Sequence, residues 1–401
     1  MMRGSTAVLG TLMTLAATPA IAQPIVVADS GDTAWVLASA LFGLLASLVG
    51  FALFHGRGRS GSTGLALVAS TAVATLIFAV FGYSLIFGEG SSVLGGASNI
   101  MLGGLSDVVD GATISEGAFA LFELVLALFA VSALVSAVAP TARLGWLVPF
   151  SGLWLTIVYL PVARWVWAGW IGDLGALDYA GGIAVQTSVG VSALVIALLL
   201  RGTLFLEEEA NPTFGMMGSA LITIGWLALI GGSALGSSAD AAIAIVNGLL
   251  SASAAVVTGL IITGVQRRSY TPEVAPLHGL AGLAAISAGA SLVGVVGAIA
   301  LGAVAAIVAI GATAFTTSLK LNGGGTAFAI HGAPAIVGAL AFPVLMLPAF
   351  GGAGFAEGIS MGAMLAQQGI AILAVTLWTA VATVIAALMV SMVVPMKRAA
   401  A

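Results

Sequence analysis

The sequence predicts an all-α polytopic membrane protein with eleven transmembrane helices. Of its 401 residues, 60% are hydrophobic and only 6% are charged, whereas about 25% of the residues in a soluble domain are charged. Apolar stretches of about 20 residues, the length that crosses a bilayer, recur along almost the whole chain. A transmembrane β-barrel would instead show short segments of alternating polarity, which this sequence does not contain.

The N-terminal residues 1–22 are predicted to be a secretory signal peptide. Arg3 precedes an apolar run, and the run ends in Ala20-Ile21-Ala22, which has the form of a cleavage site. The alternative is a short additional membrane helix. Residues 23–32 then form an outer N-terminal segment, residues 33–396 the membrane domain, and residues 397–401 a short cytoplasmic tail.

The membrane domain divides at short polar or glycine-rich segments. Residues 287–291 are the weakest of these divisions, because no charged residue separates the apolar stretches on either side. The predicted helices are 33–54, 63–87, 116–139, 144–168, 180–201, 213–236, 239–265, 276–292, 295–319, 326–349 and 367–395.

Basic residues predict the orientation, because cytoplasmic loops of membrane proteins are enriched in Lys and Arg. An outer N-terminus and an inner C-terminus place nearly all of them inside: Arg57, Arg59, Arg143, Arg201, Arg267, Arg268, Lys320, Lys397 and Arg398. Most acidic residues then fall near the outer face, where they would concentrate cations. The same pattern also follows if translocation simply disfavours basic outer loops.

A weak internal repeat relates the two halves of the membrane domain. Ala184-Val185-Gln186 in the fifth helix resembles Ala329-Ile330-His331 in the tenth. Because each copy contains five helices, the second copy would be inverted in the membrane, and an eleventh helix would follow. Inverted repeats whose polar residues meet near the membrane midplane are common in transporters.

Several short fragments, taken in order, resemble the ammonium transporter (Amt/Rh/Mep) family. Residues 175–182, Gly-Ala-Leu-Asp-Tyr-Ala-Gly-Gly, are the most specific of them. The others are residues 32–37, 82–90, 159–161, 165–167, 225–226, 232–234, 246–247, 331–332 and 336–338. The resemblance identifies a divergent bacterial member of this family.

The resemblance implies a transporter or channel in the bacterial inner (cytoplasmic) membrane. It implies a homotrimer in which each protomer recruits ammonium at an outer site and conducts ammonium or ammonia through a narrow hydrophobic pore. The sequence contains no phosphate-binding loop, nucleotide fingerprint or triad spacing, so we do not expect an enzyme. We expect no cofactor or metal either, because cysteine is absent and the three histidines are scattered.

The resemblance places the substrate-binding site at Phe122, Trp167 and Ser233. Two aromatic faces attract a small cation, and a hydroxyl oxygen accepts an N–H hydrogen bond. The alternative for both aromatic residues is a role in the interfacial belt or the core.

The pore departs from the family pattern at three places. Leu126 and Leu229 replace two stacked phenylalanines and remove the ring quadrupole. The paired histidines of the family are Gln186 and His331 here, and glutamine cannot relay a proton by titration. The acidic residue usually found shortly before the second histidine is absent from residues 325–328.

Two carboxylates lie near the outer mouth in this interpretation. Asp178 is expected to accept backbone N–H groups at the start of a helix. Glu123 is an acid within a membrane helix and hence a functional candidate that draws in a cation or accepts its proton. The alternatives for Glu123 are a protonated or interfacial acid, or an acid paired with Arg164.

Two other functions remain open from the sequence. The leucine-lined path is compatible with another small neutral solute, and an intact outer site with an altered pore is compatible with an ammonium sensor that does not conduct. The short tail makes regulation by a PII-type protein doubtful.

Overall fold

The computed structural model describes residues 27–56, 62–201, 211–270, 272, 274–321 and 323–397. These residues are helical or irregular, and their β-type pairing is limited to isolated bridges. The all-α membrane fold predicted from the sequence is therefore confirmed. The predicted signal peptide and residues 398–401 of the predicted tail lie outside the described residues, as do Arg57 and Arg59.

Ten of the helices are long and apolar enough to cross a membrane, and an eleventh, α8, is apolar but shorter. The helices are α1 (Ser30–Gly56), α2 (Thr63–Phe87), α3 (Glu116–Val138), α4 (Leu144–Asp173), α5 (Gly182–Leu199), α6 (Pro212–Gly232), α7 (Ala239–Val265), α8 (Val274–Gly289), α9 (Val295–Ser318), α10 (Gly323–Leu345) and α11 (Met361–Ser391).

Several helices begin where a polar side chain caps the free backbone N–H groups of the first turn. Ser115 Oγ accepts from Ala118 N at 3.3 Å at the start of α3. Ser360 Oγ accepts from Ala363 N at 3.1 Å. Capping of this kind stabilises a helix start by about 1 kcal/mol, which explains why α11 begins at Met361 rather than at residue 367.

Helix contacts repeat with a period of five helices. The pairs α1–α3, α2–α3, α2–α4 and α3–α5 have counterparts in α6–α8, α7–α8, α7–α9 and α8–α10. The α1–α6 and α5–α10 pairs join the two sets. This pattern is what two copies of a five-helix unit would produce, and it supports the repeat inferred from residues 184–186 and 329–331.

The two halves meet where α5 crosses α10. A Cβ atom added to Gly190 would lie 2.2 Å from Gly332 Cα, so the two backbones are in direct contact. The helix α5 begins with a widened π-helical turn at Gly182–Thr187, and α10 contains one at Phe328–Gly332. Such turns are rare and are frequent at functional sites.

We predict that Gly190→Ala destabilises the folded protein by about 1–3 kcal/mol, the usual cost of overpacking a core. The added methyl group meets backbone atoms of α10, which cannot rotate away. Thermal unfolding in detergent measures the effect. Gly369→Ala is the matched control, because an added Cβ there has no neighbour within 4 Å. Equal melting temperatures for the two variants would contradict the prediction.

Candidate functional site

A pocket of about 200 Å³ collects most of the site residues predicted from the sequence. We call it the aromatic pocket. It is lined by Phe87, Phe119, Phe122, Glu123, Leu126, Trp167, Asp178, Tyr179, Ser233 and Leu235. Six of these ten residues were predicted site residues, and they come from α3, α4, the segment before α5 and the end of α6.

The three residues predicted to bind substrate are held in place by local contacts. Phe122 packs against α6 at Gly232, where a Cβ atom would lie 2.5 Å from the Phe122 ring. Trp167 Nε1 donates to the carbonyl of Asp178 at 3.1 Å, which fixes the indole ring. Ser233 Oγ donates to the Leu229 carbonyl at 2.9 Å, so its oxygen remains free to accept a hydrogen bond.

Four lining residues were not predicted: Phe87, Phe119, Tyr179 and Leu235. The rings of Phe87 and Phe119 meet edge to face with centroids 4.8 Å apart. Phe119 precedes Phe122 by three residues and therefore shares its helix face, a signal that the sequence did contain. Leu235 has a positive φ of 54° in the turn after α6, and no sequence feature predicts its position.

Asp178 lies at the start of α5, and its Oδ2 accepts from Ala184 N at 2.8 Å. Burial raises the pKa of the Asp178 carboxyl to about 6, and backbone N–H groups of residues 182–184 partly oppose that shift. Its second oxygen, Oδ1, is buried without a hydrogen-bond partner. One oxygen therefore caps the helix, and the other remains available.

Glu123 is 7% exposed, and its Oε2 is buried without a hydrogen-bond partner. Arg164, which the sequence offered as an ion-pair partner, is used differently. Its guanidinium donates to the carbonyls of Ile86, Gly88 and Ser91 at 2.7–3.1 Å. Arg164 thus anchors the end of α2, where Phe87 lies, together with the segment that follows it. This use of Arg164 leaves the Glu123 carboxyl without its counter-charge.

Gln186 and His331 meet at the crossing of α5 and α10. Gln186 Oε1 lies 2.7 Å from His331 Nδ1. Because an amide oxygen only accepts hydrogen bonds, Nδ1 carries the proton in this arrangement, and His331 Nε2 presents a lone pair. That Nε2 is buried and has no hydrogen-bond partner.

The imidazole ring of His331 is held by aromatic contacts. It stacks on Trp226 with ring centroids 5.5 Å apart and an interplanar angle of 14°. Trp226 Nε1 in turn donates to Ser287 Oγ at 3.1 Å. The ring orientation is therefore fixed before any ligand arrives.

The two predicted pore leucines occupy different positions. Leu126 lines the aromatic pocket. Leu229 is not among its lining residues; it lies against Gly43 of α1, where an added Cβ would be 2.5 Å from Leu229 Cδ2. Leu229 therefore contributes to helix packing beside the pocket.

We predict a pH-dependent stability difference between the wild-type protein and Asp178→Asn. A carboxyl whose pKa is raised in the folded state binds its proton more tightly there than in the unfolded state. The wild type should consequently lose stability relative to the variant as pH rises from about 4 through about 6. Melting temperatures of both proteins between pH 4.5 and 7.5 test this: the melting temperature of the wild type minus that of Asp178→Asn should fall as pH rises. A value that stays constant or increases with pH would refute the prediction.

Comparison with known proteins relates the whole membrane domain to one family. The family model described as Ammonium Transporter Family matches residues 34–399. The ammonium transporter of Bacillus subtilis is 34% identical over 252 residues, which cover 60% of this chain and 62% of that protein. Ammonium transporter Amt1 of Archaeoglobus fulgidus is 33% identical over 243 residues, 58% of this chain and 60% of that one. The aligned region thus spans about 60% of the length of these relatives.

Solved structures agree with the sequence comparison. Mep2 of Candida albicans superimposes with a TM-score of 0.82 at 25% identity, covering 92% of this chain and 87% of that one. A protein titled Sensor Amt Protein has a TM-score of 0.83 at 23% identity, with coverage of 92% and 95%, and shares the fold. The chain therefore belongs to the Ammonium Transporter Family.

Proposed function

We propose that this protein is a transmembrane transporter or channel that recruits ammonium at the aromatic pocket and conducts it as ammonia. The observation that carries the proposal is the pocket itself, where Phe122, Trp167 and Ser233 line one cavity. A buried Gln186–His331 pair on two crossing helices lies further along the path.

The pocket has the chemistry needed to select a small cation. The faces of Phe122 and Trp167 attract positive charge, an interaction worth about 0.5–2 kcal/mol. Ser233 Oγ, whose proton is committed to the Leu229 carbonyl, accepts an N–H hydrogen bond. The carboxylates of Glu123 and Asp178 line the same cavity and add a negative field.

We propose that the path runs from the pocket along α3 to the central pair, where ring contacts reach His331. Leu126 lies one helical turn after Phe122 on α3, and Phe129 follows it. Phe129 packs on Trp226 at a centroid distance of 5.1 Å, and Trp226 stacks on His331. These apolar groups favour passage of neutral ammonia. Moving a bare cation from water into hydrocarbon costs far more free energy than a few protein contacts restore.

His331 and Gln186 then act on neutral ammonia by hydrogen bonding alone. His331 Nε2 accepts an N–H from the ammonia molecule. The Gln186 amide does not gain or lose a proton at ordinary pH and hence cannot pass one onward. Transport is therefore electroneutral, with the proton left on the side of the aromatic pocket.

Family membership and the sequence support a proposal for the assembly and location. We place the protein in a bacterial inner membrane as a homotrimer, with the N-terminus outside and the C-terminus in the cytoplasm. The basic residues of the inner loops support this orientation. The aromatic pocket then opens outward, near the acidic residues that concentrate cations.

Another small neutral solute is the second candidate cargo. Leu126 lines the pocket where the family usually has an aromatic ring, and the central pair offers hydrogen bonds that are not specific to ammonia. Liposomes that show faster water or carbon dioxide permeation than ammonia permeation, each relative to protein-free controls, would favour this alternative.

An ammonium pulse applied to proteoliposomes tests the proposed function. Ammonia that enters the lumen takes up a proton, so the internal pH should rise faster than in protein-free liposomes. We predict that Phe122→Ala slows this rise about tenfold at subsaturating ammonium, since a loss of about 1.4 kcal/mol lies within the range of a cation–π contact. Phe350→Ala, at a residue that is 37% exposed, is the control. A wild-type rate equal to that of empty liposomes would refute the proposal.

Restoring a histidine at position 186 should restore charge movement. In Gln186→His, two imidazoles face one another and a proton can pass between them. We predict an ammonium-dependent current on a solid-supported membrane that the wild type lacks. Gln186→Asn retains an amide and should remain electroneutral. Absence of current in a folded Gln186→His protein that still conducts ammonia would contradict this role of the pair.

A further inference from the structure

Among the buried oxygen atoms near the aromatic pocket that lack a hydrogen-bond partner, three belong to titratable side chains that are at least nine-tenths buried. They are Glu123 Oε2, Asp178 Oδ1 and Tyr159 Oη. Their side chains are 7%, 9% and 1% exposed, so each is at least nine-tenths buried. They come from α3, the segment before α5, and α4, so three separate parts of the chain contribute one such atom each.

The three groups are close enough to influence one another. Glu123 and Asp178 both line the aromatic pocket. Tyr159 is not a lining residue, but it lies within electrostatic range of both carboxylates. Asp178 Oδ2 already accepts from Ala184 N, so only Oδ1 is available. The basic side chain of this region, Arg164, donates to backbone carbonyls instead.

The donors and acceptors of this cluster do not balance. When both carboxyls are ionised they only accept hydrogen bonds, and the Tyr159 hydroxyl supplies one donor. Tyr159 can therefore satisfy at most one of the two free carboxylate oxygens. An unsatisfied buried polar group costs about 1–3 kcal/mol, and more if it is charged. A group that supplies several N–H donors and a positive charge would remove this imbalance.

We propose that Glu123, Asp178 and Tyr159 form a second cation site at the wall of the aromatic pocket, which holds ammonium through charge and hydrogen bonds rather than through ring faces. Ammonium carries four N–H donors, enough to reach all three oxygens. The site deepens the function proposed above and rests on it. It depends on Glu123, an acid within a membrane helix.

The site also provides an acceptor for the proton that ammonium must lose. One N–H bond breaks and an O–H bond forms on Glu123 Oε2, which leaves neutral ammonia and a neutral carboxyl. The positive charge of the nitrogen and the negative charge of the carboxylate cancel in this step. The proton then returns to water through the open pocket, because Gln186 offers it no inward route.

Thallium(I), a monovalent ion of similar size to ammonium with strong anomalous scattering, locates the site directly. Crystals soaked in thallium(I) acetate should show an anomalous peak between the three oxygens in the wild type. The peak should persist in Glu357→Gln, a matched change at an exposed outer acid, and vanish in Glu123→Gln. A peak confined to the faces of Phe122 and Trp167, a water molecule in place of the ion, or no peak would overturn the proposal.

Calorimetric titration with ammonium chloride measures the contribution to affinity. Glu123→Gln, which preserves side-chain volume, should raise the Kd for ammonium at least tenfold, and Tyr159→Phe should raise it severalfold. Glu357→Gln should leave the Kd unchanged. Thermal unfolding confirms that each variant is folded. An unchanged Kd in folded Glu123→Gln would overturn the proposal.

Binding and flux distinguish this inference from the proposed function. If Glu123→Gln loses affinity while wild-type liposomes show no ammonia flux, the cation site stands and transport fails. If the wild type conducts and Glu123→Gln matches it in both Kd and flux, transport stands and the cation site fails.

Discussion

The close contact of α5 and α10 is the constraint on which the rest of the structure depends. Gly190 and Gly332 allow the two backbones to touch, and this approach brings Gln186 and His331, 145 positions apart in sequence, within 2.7 Å. A side chain at either glycine would separate the helices and with them the central pair. Because α5 and α10 end the two five-helix units, their crossing also joins the halves of the protein. Membrane helices commonly associate through small residues in this way, and the proposed conduction path passes the same point of contact.

Charge is distributed unequally along the path from the aromatic pocket to the central pair. The pocket has two carboxylates and several aromatic rings, whereas the central pair has one imidazole and one amide. In the proposed function, a cation is stabilised at the pocket and meets the apolar side chains of Leu126 and Phe129 beyond it. The free lone pair of His331 suits neutral ammonia, which can donate to it. This separation of a charged entrance from a neutral centre is the physical basis for electroneutral passage.

Much of the fold was predictable from the sequence, because the length and polarity of a membrane helix are constrained by the bilayer. The residues around Phe122 and Trp167 were also predictable, since short fragments resembling the family fix their places in the chain. Phe87 was missed because its position depends on a segment that Arg164 anchors through backbone carbonyls. The packing of Leu229 on Gly43 depends on how α6 meets α1, which no local pattern encodes. The widened turns that carry Gln186 and His331 likewise have no recognised sequence signature.

We propose that ammonium leaves its proton at the aromatic pocket, so that nitrogen crosses the membrane without charge. The ratio of charge to nitrogen tests it most directly. Valinomycin and potassium would hold the membrane potential of wild-type proteoliposomes constant while an ammonium gradient is applied. Charge movement and accumulated nitrogen would be measured in the same preparation. We predict that wild-type proteoliposomes accumulate more nitrogen than protein-free liposomes, with a charge-to-nitrogen ratio near zero. A ratio near one elementary charge per nitrogen would contradict it, because a proton or the cation itself would then pass the Gln186–His331 pair.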